Sequence, residues 1–255
     1  MEEIALKTPD QMHKLFRPDS VAVVGASTDP AKLGYEIMKN IIEAGFTGPV
    51  HPINPKAEEI LARPVHASIS SLPEPVDLAV VIVPARFVPG VIAECGEKGV
   101  GAAIVITGGF KEAGPSGEAL EAELLESAQQ GQVAVVGPNC QGINNPHHGL
   151  CASWPLLTNQ GPIALVSQSG TVGAALMDWA QLDGLGVSCF VSMGNRCDVD
   201  ESDLIHYFAQ DDHTRAIAIH LEGVKDARKF LAAVEMCAKP LIILKAGRTE
   251  RGRVA

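Results

Sequence analysis

Short apolar runs alternate with amphipathic stretches through most of this chain. The first run, SVAVVGAST (20–28), is rich in β-branched residues, and LGYEIMKNIIEAG (33–45) follows it with apolar residues at helical spacing. Alternation of strands and helices at this length predicts an α/β fold with a parallel, doubly wound sheet. Further strands are predicted near 49–53, 78–83, 102–106 and 133–136, and helices near 87–97 and 117–129.

A second cycle begins at GPIALVSQSG (161–170) and echoes the opening of the first. It continues with a helix at 171–183 and strands near 187–191, 216–220 and 241–245. Between the cycles lies INNPHHGLCASWPLLTNQ (143–160), which is rich in Asn and Pro and has little helical periodicity. We therefore predict two domains, residues 1–150 and 151–255.

Composition narrows the function classes. With 255 residues, of which 46% are hydrophobic and 20% charged, the chain can bury a core without disulfide or metal staples. The net charge of −10 and the lack of Lys/Arg clusters argue against nucleic-acid binding. The six cysteines lack CxxC or metal-ligand spacing, which predicts reduced thiols in the cytoplasm and no metal site. A polar, acidic start and the lack of a long apolar run predict neither a secretory signal nor a membrane span.

Both cycles open with a turn that suits an anionic ligand, because backbone N–H groups and a helix N-terminus bind anions without Lys or Arg. In the first turn Gly25, Ala26 and Ser27 permit close approach of a ligand, and Gly34 opens the helix. The spacing is not G-x-G-x-x-G, so the match to the dinucleotide fingerprint is weak.

The turn after the next strand indicates which ligand is bound. NAD sites place Asp or Glu there to bind the ribose hydroxyls, whereas VHPINPKAEE has Asn54, Pro55 and Lys56. A cation favours coenzyme A or NADP over NAD, because both carry an extra phosphate. The alternative is that Lys56 is a solvated loop lysine.

Two more strands end in residues that can line a crevice. VIVPARFV (81–88) ends its strand at Pro84, and VITGGFKE (105–112) ends with Thr107 and paired glycines. Ligands of parallel sheets lie at the carboxyl ends of the strands, so we expect one crevice at this edge. Pro84 and Gly108 are also ordinary turn formers.

Nine segments together carry a family resemblance. They occur in the order LFRPDSVAVVGAST, GPVHPINPKAEEI, VDLAVVIVPARFV, GVGAAIVITGGFKEAG, VVGPNCQGINNP, LVSQSGTVG, SMGNRCDVDESDLI, HLEGVKDARKF and PLIILKAGRTERG. With them the chain closely resembles the α part of the NDP-forming acyl-CoA synthetases, typified by ADP-forming acetate–CoA ligase, and more distantly the α-subunit of succinyl-CoA synthetase. The resemblance implies a Rossmann-like CoA-binding domain followed by a flavodoxin-like domain of the succinyl-CoA-synthetase type.

The resemblance also implies an acid–thiol ligase that converts a free acid, CoA and ATP to acyl-CoA, ADP and phosphate through an acyl phosphate and a phosphohistidine. Small acids such as acetate are the substrates it suggests. Matched by motif, one set of residues would contact the CoA phosphates and ribose: Gly25, Ala26, Ser27 and Lys56. A second set would line the crevice: Val83, Pro84, Thr107 and Gly108. Asn139 and Cys140 would lie near the pantetheine thiol.

The segment GPNCQGINNP (137–146) places an amide beside a thiol. Asn139 can donate a hydrogen bond to the pantetheine end or to an acyl carbonyl, and we predict a catalytic role for it. Cys140 is interpreted as a small apolar side chain rather than a nucleophile, because the motif contains no neighbouring base.

The second turn, SQSGTVG (167–173), predicts a phosphate site formed by Ser167, Gln168, Ser169 and Gly170. By resemblance it would hold the phosphohistidine or the acyl phosphate. The alternative is a serine N-cap without a ligand. A serine-hydrolase elbow is disfavoured, because G-x-S-x-G requires glycine at position 167.

Glu222 follows an apolar strand, and in the relatives the glutamate of this motif orients the active histidine. We predict a catalytic role for Glu222, with a surface glutamate in a first helical turn as the alternative. His220 lies close in sequence, but we expect a side chain at the edge of the core.

The phosphohistidine of the relatives lies downstream of the motif matched by Lys245 to Thr249, and none of the eight histidines occupies that position. The ATP-grasp domain that would bind ATP or ADP and Mg²⁺ is not found in this sequence either. We therefore expect this chain to be the CoA-binding and phosphate-handling portion of a ligase, and to be inactive by itself. Its expected partner is an ATP-grasp domain or β subunit, and self-association is left open. The alternatives are a CoA- or acyl-CoA-sensing module, as in relatives fused to a protein acetyltransferase, and an NADP-dependent dehydrogenase.

Overall fold

The computed structural model describes residues 6–154, 156 and 159–246. None of its helices is long and apolar enough to cross a membrane. The helices are α1 (Pro9–Phe16), α2 (Leu33–Glu43), α3 (Val88–Lys98), α4 (Pro115–Gly131), α5 (Gly170–Leu182), α6 (Glu201–Gln210) and α7 (Ala227–Met236). The strands are β1 (Val21–Val24), β2 (Val50–Ile53), β3 (Glu59–Ile60), β4 (Arg63–Pro64), β5 (Leu78–Val81), β6 (Ala102–Val105), β7 (Ala134–Val136), β8 (Gly142–Asn145), β9 (Leu150–Ala152), β10 (Gln160–Ser167), β11 (Val187–Ser192), β12 (Ala216–Leu221) and β13 (Leu241–Lys245).

The N-terminal sheet is parallel throughout, with the strand order β2-β1-β5-β6-β7. Apart from His51 in β2, its strands are apolar at every position, because helices cover both faces. Val21 and Val23 belong to the core formed with α1 and α2, whereas Ala22 and Val24 belong to the core formed with α3 and α4. The predicted doubly wound α/β fold is confirmed.

The second sheet has the order β13-β12-β10-β11-β8-β9. The strands from β13 to β11 run parallel, and β8 and β9 extend the sheet in antiparallel pairing. In the pairing of β8 with β11, Ile143 lies opposite Val191. Part of the segment predicted as a junction, 143–160, is therefore strand that belongs to the second sheet. The domain boundary near residue 150 remains a prediction.

The two halves are held together by a common hydrophobic cluster, which includes residues of both sheets. Within this cluster the fully buried ring of Phe16, at the end of α1, stacks on Tyr207 of α6 with a centroid separation of 4.5 Å. Phe208 meets the same ring at 5.3 Å. The first helix therefore packs against the second half, so loops of one half can contribute to a site in the other.

Candidate functional site

Among the described strands, the parallel strands of each sheet are added first to one side and then to the other, with one switch point per sheet. In the first sheet it lies between β1 and β5, and in the second between β10 and β12. Ligands of doubly wound folds bind in the crevice beyond the carboxyl ends of such strands. Gly25 follows β1 and Val83 follows β5, while Gln168 follows β10 and Glu222 follows β12. Predicted site residues thus flank both points.

Glycines at positions 25 and 34 allow the first turn to pack tightly. A Cβ atom added at Gly34 would lie 2.1 Å from the carbonyl oxygen of Gly25, and one added at Gly25 would lie 2.9 Å from the carbonyl oxygen of Ile82. Gly25 has a φ of +93°, and its N–H donates to the Ile53 carbonyl at 3.0 Å. The N–H of Gly25 is therefore already bonded within the sheet. What this glycine offers a ligand is close approach to the backbone rather than a hydrogen bond.

Hydrogen bonds connect the first turn to the end of β2. The Asn54 Nδ2 atom donates to the carbonyl of Ala26 at 2.7 Å, and the Asn54 Oδ1 atom accepts from the N–H of Lys56 at 2.8 Å. Ser27 is 8% exposed, and its hydroxyl accepts from the N–H of Asp29. The Lys56 side chain is exposed and makes no hydrogen bond or ion pair within the described residues. It is available to a phosphate at this end of the crevice.

The ends of β5 and β6 are also tied together. The Thr107 hydroxyl donates to the Val83 carbonyl at 2.8 Å, so the predicted crevice residues on these strands form one surface. Val83 is half-buried, and Pro84 and Gly108 are exposed. A Cβ atom at Gly108 would lie 3.0 Å from the Asn139 Oδ1 atom. The glycine therefore gives the Asn139 side chain room beside the turn.

Asn139 lies beyond β7 in the left-handed region, with a φ of +58°. Asparagine tolerates this conformation better than most residues. Its N–H donates to the Thr107 carbonyl at 2.9 Å, and its exposed side chain lies 3.4 Å from the Asn195 Oδ1 atom. The amide is held at the mouth of the crevice, where it can donate to a ligand.

Cys140 is 5% exposed, and its thiol donates to the Val105 carbonyl at 3.3 Å. Burial raises the pKa of the thiol from 9.0 to about 12, and it outweighs backbone hydrogen bonds that act to lower the pKa. A thiol with this pKa stays protonated at neutral pH, so Cys140 is not an activated nucleophile.

The second turn uses most of its side chains internally. Ser167 is fully buried and donates to the carbonyl of Ser169 at 2.7 Å, and its hydroxyl lies 3.5 Å from the Nδ1 atom of His220. The Ser169 hydroxyl caps α5 by accepting from the N–H of Val172, and Gly170 is the first residue of that helix. The geometry suits an anion at the start of α5, where N–H groups of the first helical turn have no helical acceptor.

The carboxylate of Glu222 is exposed beside this turn. The backbone around it is fixed, because its N–H donates to the Gln168 Oε1 atom at 2.6 Å and its carbonyl accepts from the Lys245 Nζ atom at 2.6 Å. His220 is 7% exposed, as expected of a side chain at the edge of the core. Thr249, the end of the motif that begins at Lys245, lies outside the described residues.

Asn195 and Arg196, which the sequence analysis leaves without a role, reach both candidate sites from one turn. The Asn195 side chain contacts Asn139, and the Arg196 guanidinium donates to the carbonyl of Gly223 at 3.1 Å and pairs with Glu201 at 2.8 Å. The signal available in the sequence is position, because Asn195 follows β11 at the same edge as the other predicted residues.

Acidic residues after this turn are paired rather than open to a cation. Lys229 Nζ lies 2.9 Å from carboxylate oxygens of both Asp200 and Asp203. Burial acts to raise the pKa of Asp200, but hydrogen bonds and the charge of Lys229 hold it below its usual range. Burial and the neighbouring Asp200 raise the pKa of Asp203. Within the described residues no group of three or more His, Cys, Asp or Glu side chains could hold a metal ion.

Two family models match the chain. The model of the CoA binding domain matches residues 19–146, and the model of the succinyl-CoA ligase like flavodoxin domain matches residues 160–255. The first model ends and the second begins on either side of β9.

Among curated relatives, the α subunit of ADP-forming acetate–CoA ligase I from Pyrococcus furiosus is 45% identical over 251 residues, which cover 96% of this chain and 54% of the relative. The ADP-forming acetate–CoA ligase I of Archaeoglobus fulgidus is 44% identical over 96% of this chain and 36% of its own length. A solved structure, the dinucleotide forming acetyl-coenzyme A synthetase 1 of Ca. Korarchaeum cryptofilum in complex with phosphate and ADP, matches with a TM-score of 0.91 and 42% identity, covering 95% of this chain and 53% of that one. The chain therefore spans about half the length of the Pyrococcus α subunit and about a third of the length of the Archaeoglobus ligase.

Proposed function

This chain belongs to the CoA-binding domain family and is similar over nearly its whole length to the α part of the ADP-forming acyl-CoA synthetases, and from this premise we propose that it is the CoA-binding and phosphate-handling portion of such a ligase. The reaction of the whole enzyme would be the conversion of an acid, CoA and ATP to acyl-CoA, ADP and phosphate. Acetate or another small acid is the acyl donor that we propose.

The observation that carries the proposal is the spatial order of the predicted residues. Along the carboxyl edge of the first sheet, consecutive strand ends present five of them, in the order Lys56, Gly25, Val83, Thr107 and Asn139. Adjacent strands lie about 4.8 Å apart, so these five ends span about 19 Å. An elongated ligand with phosphates at one end and a thiol at the other, such as CoA, fits a row with a cation at one end and an amide at the other.

In this arrangement the CoA phosphates and ribose lie against Gly25, Ala26 and Ser27, and Lys56 pairs with a phosphate of the adenosine end. The pantetheine chain crosses the surface formed by Val83, Pro84, Thr107 and Gly108. Its thiol ends near Asn139 and Cys140. Asn139 donates a hydrogen bond to the acyl carbonyl, where negative charge develops during attack by the CoA thiol. The protonated Cys140 thiol only fills space beside it.

The second half would handle the phosphoryl group. Ser169 and Gly170 meet the phosphate at the start of α5, while the internally bonded Ser167 and Gln168 fix the shape of the turn. Glu222 accepts the ring N–H of the phosphorylated histidine, which another segment supplies, and thereby favours the reactive tautomer.

An ATP-grasp domain or β subunit is the partner in this proposal, and it supplies the site for ATP or ADP and Mg²⁺. We propose a cytoplasmic location, because the spacing of the six cysteines is not that of a disulfide framework and reduced thiols persist in that compartment. The proposal needs no contact with nucleic acid, and the net charge of −10 disfavours such contact.

Isothermal titration of the purified protein with CoA, dephospho-CoA and NADP tests the proposal. We expect CoA to bind most tightly, dephospho-CoA more weakly because it lacks the phosphate that pairs with Lys56, and NADP weakest. Tighter binding of NADP would favour a dehydrogenase instead. No binding of CoA would overturn the proposal.

A further inference from the structure

A turn of the second half, residues 194–197, packs against residues 137–139 of the first half, beside the proposed CoA crevice. The N–H of Asn195 donates to the Pro138 carbonyl at 2.8 Å, and the N–H of Cys197 donates to the Gly137 carbonyl at 3.0 Å. A Cβ atom at Gly194 would lie 2.2 Å from the Pro138 carbonyl oxygen, so only glycine permits this approach. The backbone of the turn is therefore docked beside Asn139.

The side chain of Asn195 is the centre of a hydrogen-bond network. It is 9% exposed, and its Nδ2 atom donates to Glu112 at 2.6 Å and to Glu121 at 2.7 Å. Its Oδ1 atom faces the Asn139 Nδ2 atom at 3.4 Å, and its backbone carbonyl accepts from the Lys111 Nζ atom at 2.6 Å. A buried amide with its donors and acceptor engaged has one orientation.

Glu112 bonds both the Asn195 side chain and the backbone of the Gly108–Phe110 turn. The carboxylate accepts from the N–H groups of Gly109 and Phe110, the second at 3.0 Å. Burial acts to raise the pKa of the Glu112 carboxyl, but hydrogen bonds from Asn195 and from these backbone groups hold it below its usual range. The charged carboxylate is thus fixed between the turn that lines the crevice and an amide from the other half.

Glu121 is the matched comparison, because it receives the second N–H of the same amide. It lies on α4, pairs with the Lys111 side chain at 3.3 Å and accepts from the N–H of Lys111 at 3.4 Å, so within the described residues its backbone contact lies one residue beyond the Gly108–Phe110 turn. Loss of either glutamate removes one partner of Asn195, but Glu112 is the one that also bonds the N–H groups of Gly109 and Phe110 in the turn that lines the crevice.

We propose that Asn195 is a positioning residue of the CoA site, which aligns Asn139 and, through Glu112, the Gly108–Phe110 turn at the thiol end of the bound cofactor. This inference rests on the proposed function. It makes the thiol end of the site depend on the second half of the chain, whereas the adenosine end, at Gly25 and Lys56, is built from the first half alone.

The test compares two ligands on Asn195→Ala. CoA reaches the thiol end, whereas adenosine 3′,5′-bisphosphate carries only the phosphorylated adenosine end. We expect the Kd for CoA to rise about tenfold, the equivalent of about 1.4 kcal/mol, and the Kd for adenosine 3′,5′-bisphosphate to stay within about twofold. A variant that is merely less well folded would lose affinity for both ligands in proportion.

Glu112→Ala and Glu121→Ala complete the experiment and carry it if Asn195→Ala does not fold. We expect Glu112→Ala to weaken CoA binding selectively and by more than Glu121→Ala, which removes one partner of Asn195 but leaves the N–H groups of Gly109 and Phe110 bonded. Equal CoA affinities for the wild type and Asn195→Ala, or equal effects of the two glutamate variants, would overturn the inference while the proposed function stands. If the wild type binds no CoA, both fail.

Discussion

The side-chain amide of Gln168 hydrogen-bonds to Gly223 at both ends. Its Nε2 atom donates to the Gly223 carbonyl at 2.7 Å, and its Oε1 atom accepts from the Gly223 N–H at 3.0 Å. The same oxygen accepts from the N–H of Glu222 at 2.6 Å. One side chain, 7% exposed, therefore joins the ends of β10 and β12 and fixes the backbone from which the Glu222 carboxylate projects.

Replacing this amide should destabilise the protein. Gln168→Leu keeps the approximate volume but removes one hydrogen-bond partner from each of three backbone groups, of which the Gly223 carbonyl keeps Arg196. The free energy of unfolding should fall by about 1–3 kcal/mol in urea denaturation. The control is Gln130→Leu, because the exposed Gln130 side chain donates to Glu126 on the same helix and to no other group in the described part of the chain. We expect a change within about 0.5 kcal/mol for the control. Equal effects of the two variants would show that the Gln168 contacts contribute little.

One substitution should have opposite effects at two glycines. In Gly34→Ala the new Cβ would lie 2.1 Å from the Gly25 carbonyl oxygen, and the backbone shift should cost about 1–3 kcal/mol. A Cβ atom added at Gly90, in α3, would meet no such neighbour within 4 Å among the described residues. Gly90→Ala should instead stabilise the protein by about 0.5–1 kcal/mol through helix propensity. Thermal denaturation of both variants measures the difference, and two shifts of the same sign would contradict the prediction.

Lys56→Ala should reduce affinity for CoA about tenfold, because an exposed cation that pairs with a phosphate is lost. The affinity for dephospho-CoA should not change. Lys39→Ala, on the exposed face of α2, is the control for the general loss of one positive charge. Titration calorimetry of both variants with both ligands separates the effects. Equal losses for the two ligands would assign Lys56 to another part of the cofactor.

The buried thiol of Cys140 predicts a loss of stability in alkali. Its pKa is raised from 9.0 to about 12, so above pH 9 the unfolded chain releases a proton that the folded chain retains. The contribution of this thiol is therefore complete below pH 9 and declines as the pH rises toward 12, by up to about 1.4 kcal/mol per pH unit. Urea denaturation at pH 8 and pH 10 should show a smaller decline for Cys140→Ala than for the wild type. Identical declines would mean that the thiol titrates alike in both states.

Family and site positions followed from local sequence patterns. The family resemblance indicated by nine ordered segments is confirmed. The sheet edge at which we propose that CoA binds was predicted from the rule that ligands bind at the carboxyl ends of parallel strands. The roles of Lys56, Asn139 and Glu222 remain predictions. Cys140 has the buried, protonated thiol that its interpretation as an apolar side chain requires.

The sequence by itself determined the strands and helices whose signal is local. Buried parallel strands such as β1 and β5 are short apolar runs bounded by Gly or Pro, and amphipathic helices such as α2 show the spacing of one covered face. The sequence analysis did not predict α1, α6 and α7, which are short. Strands β8 and β9 lie almost wholly within the predicted junction 143–160, where Asn144, Asn145 and Pro146 are poor strand formers.

Only the tertiary structure decided what these segments do. β8 becomes a strand because β11, more than 40 residues away in sequence, offers it an edge for antiparallel pairing. Asn195 joins the candidate CoA site through Asn139, at a sequence separation of 56 residues, and through Glu112, at a separation of 83. Hydrogen bonds between such distant residues leave no periodicity in the sequence, because their geometry exists only after both sheets have formed and packed together.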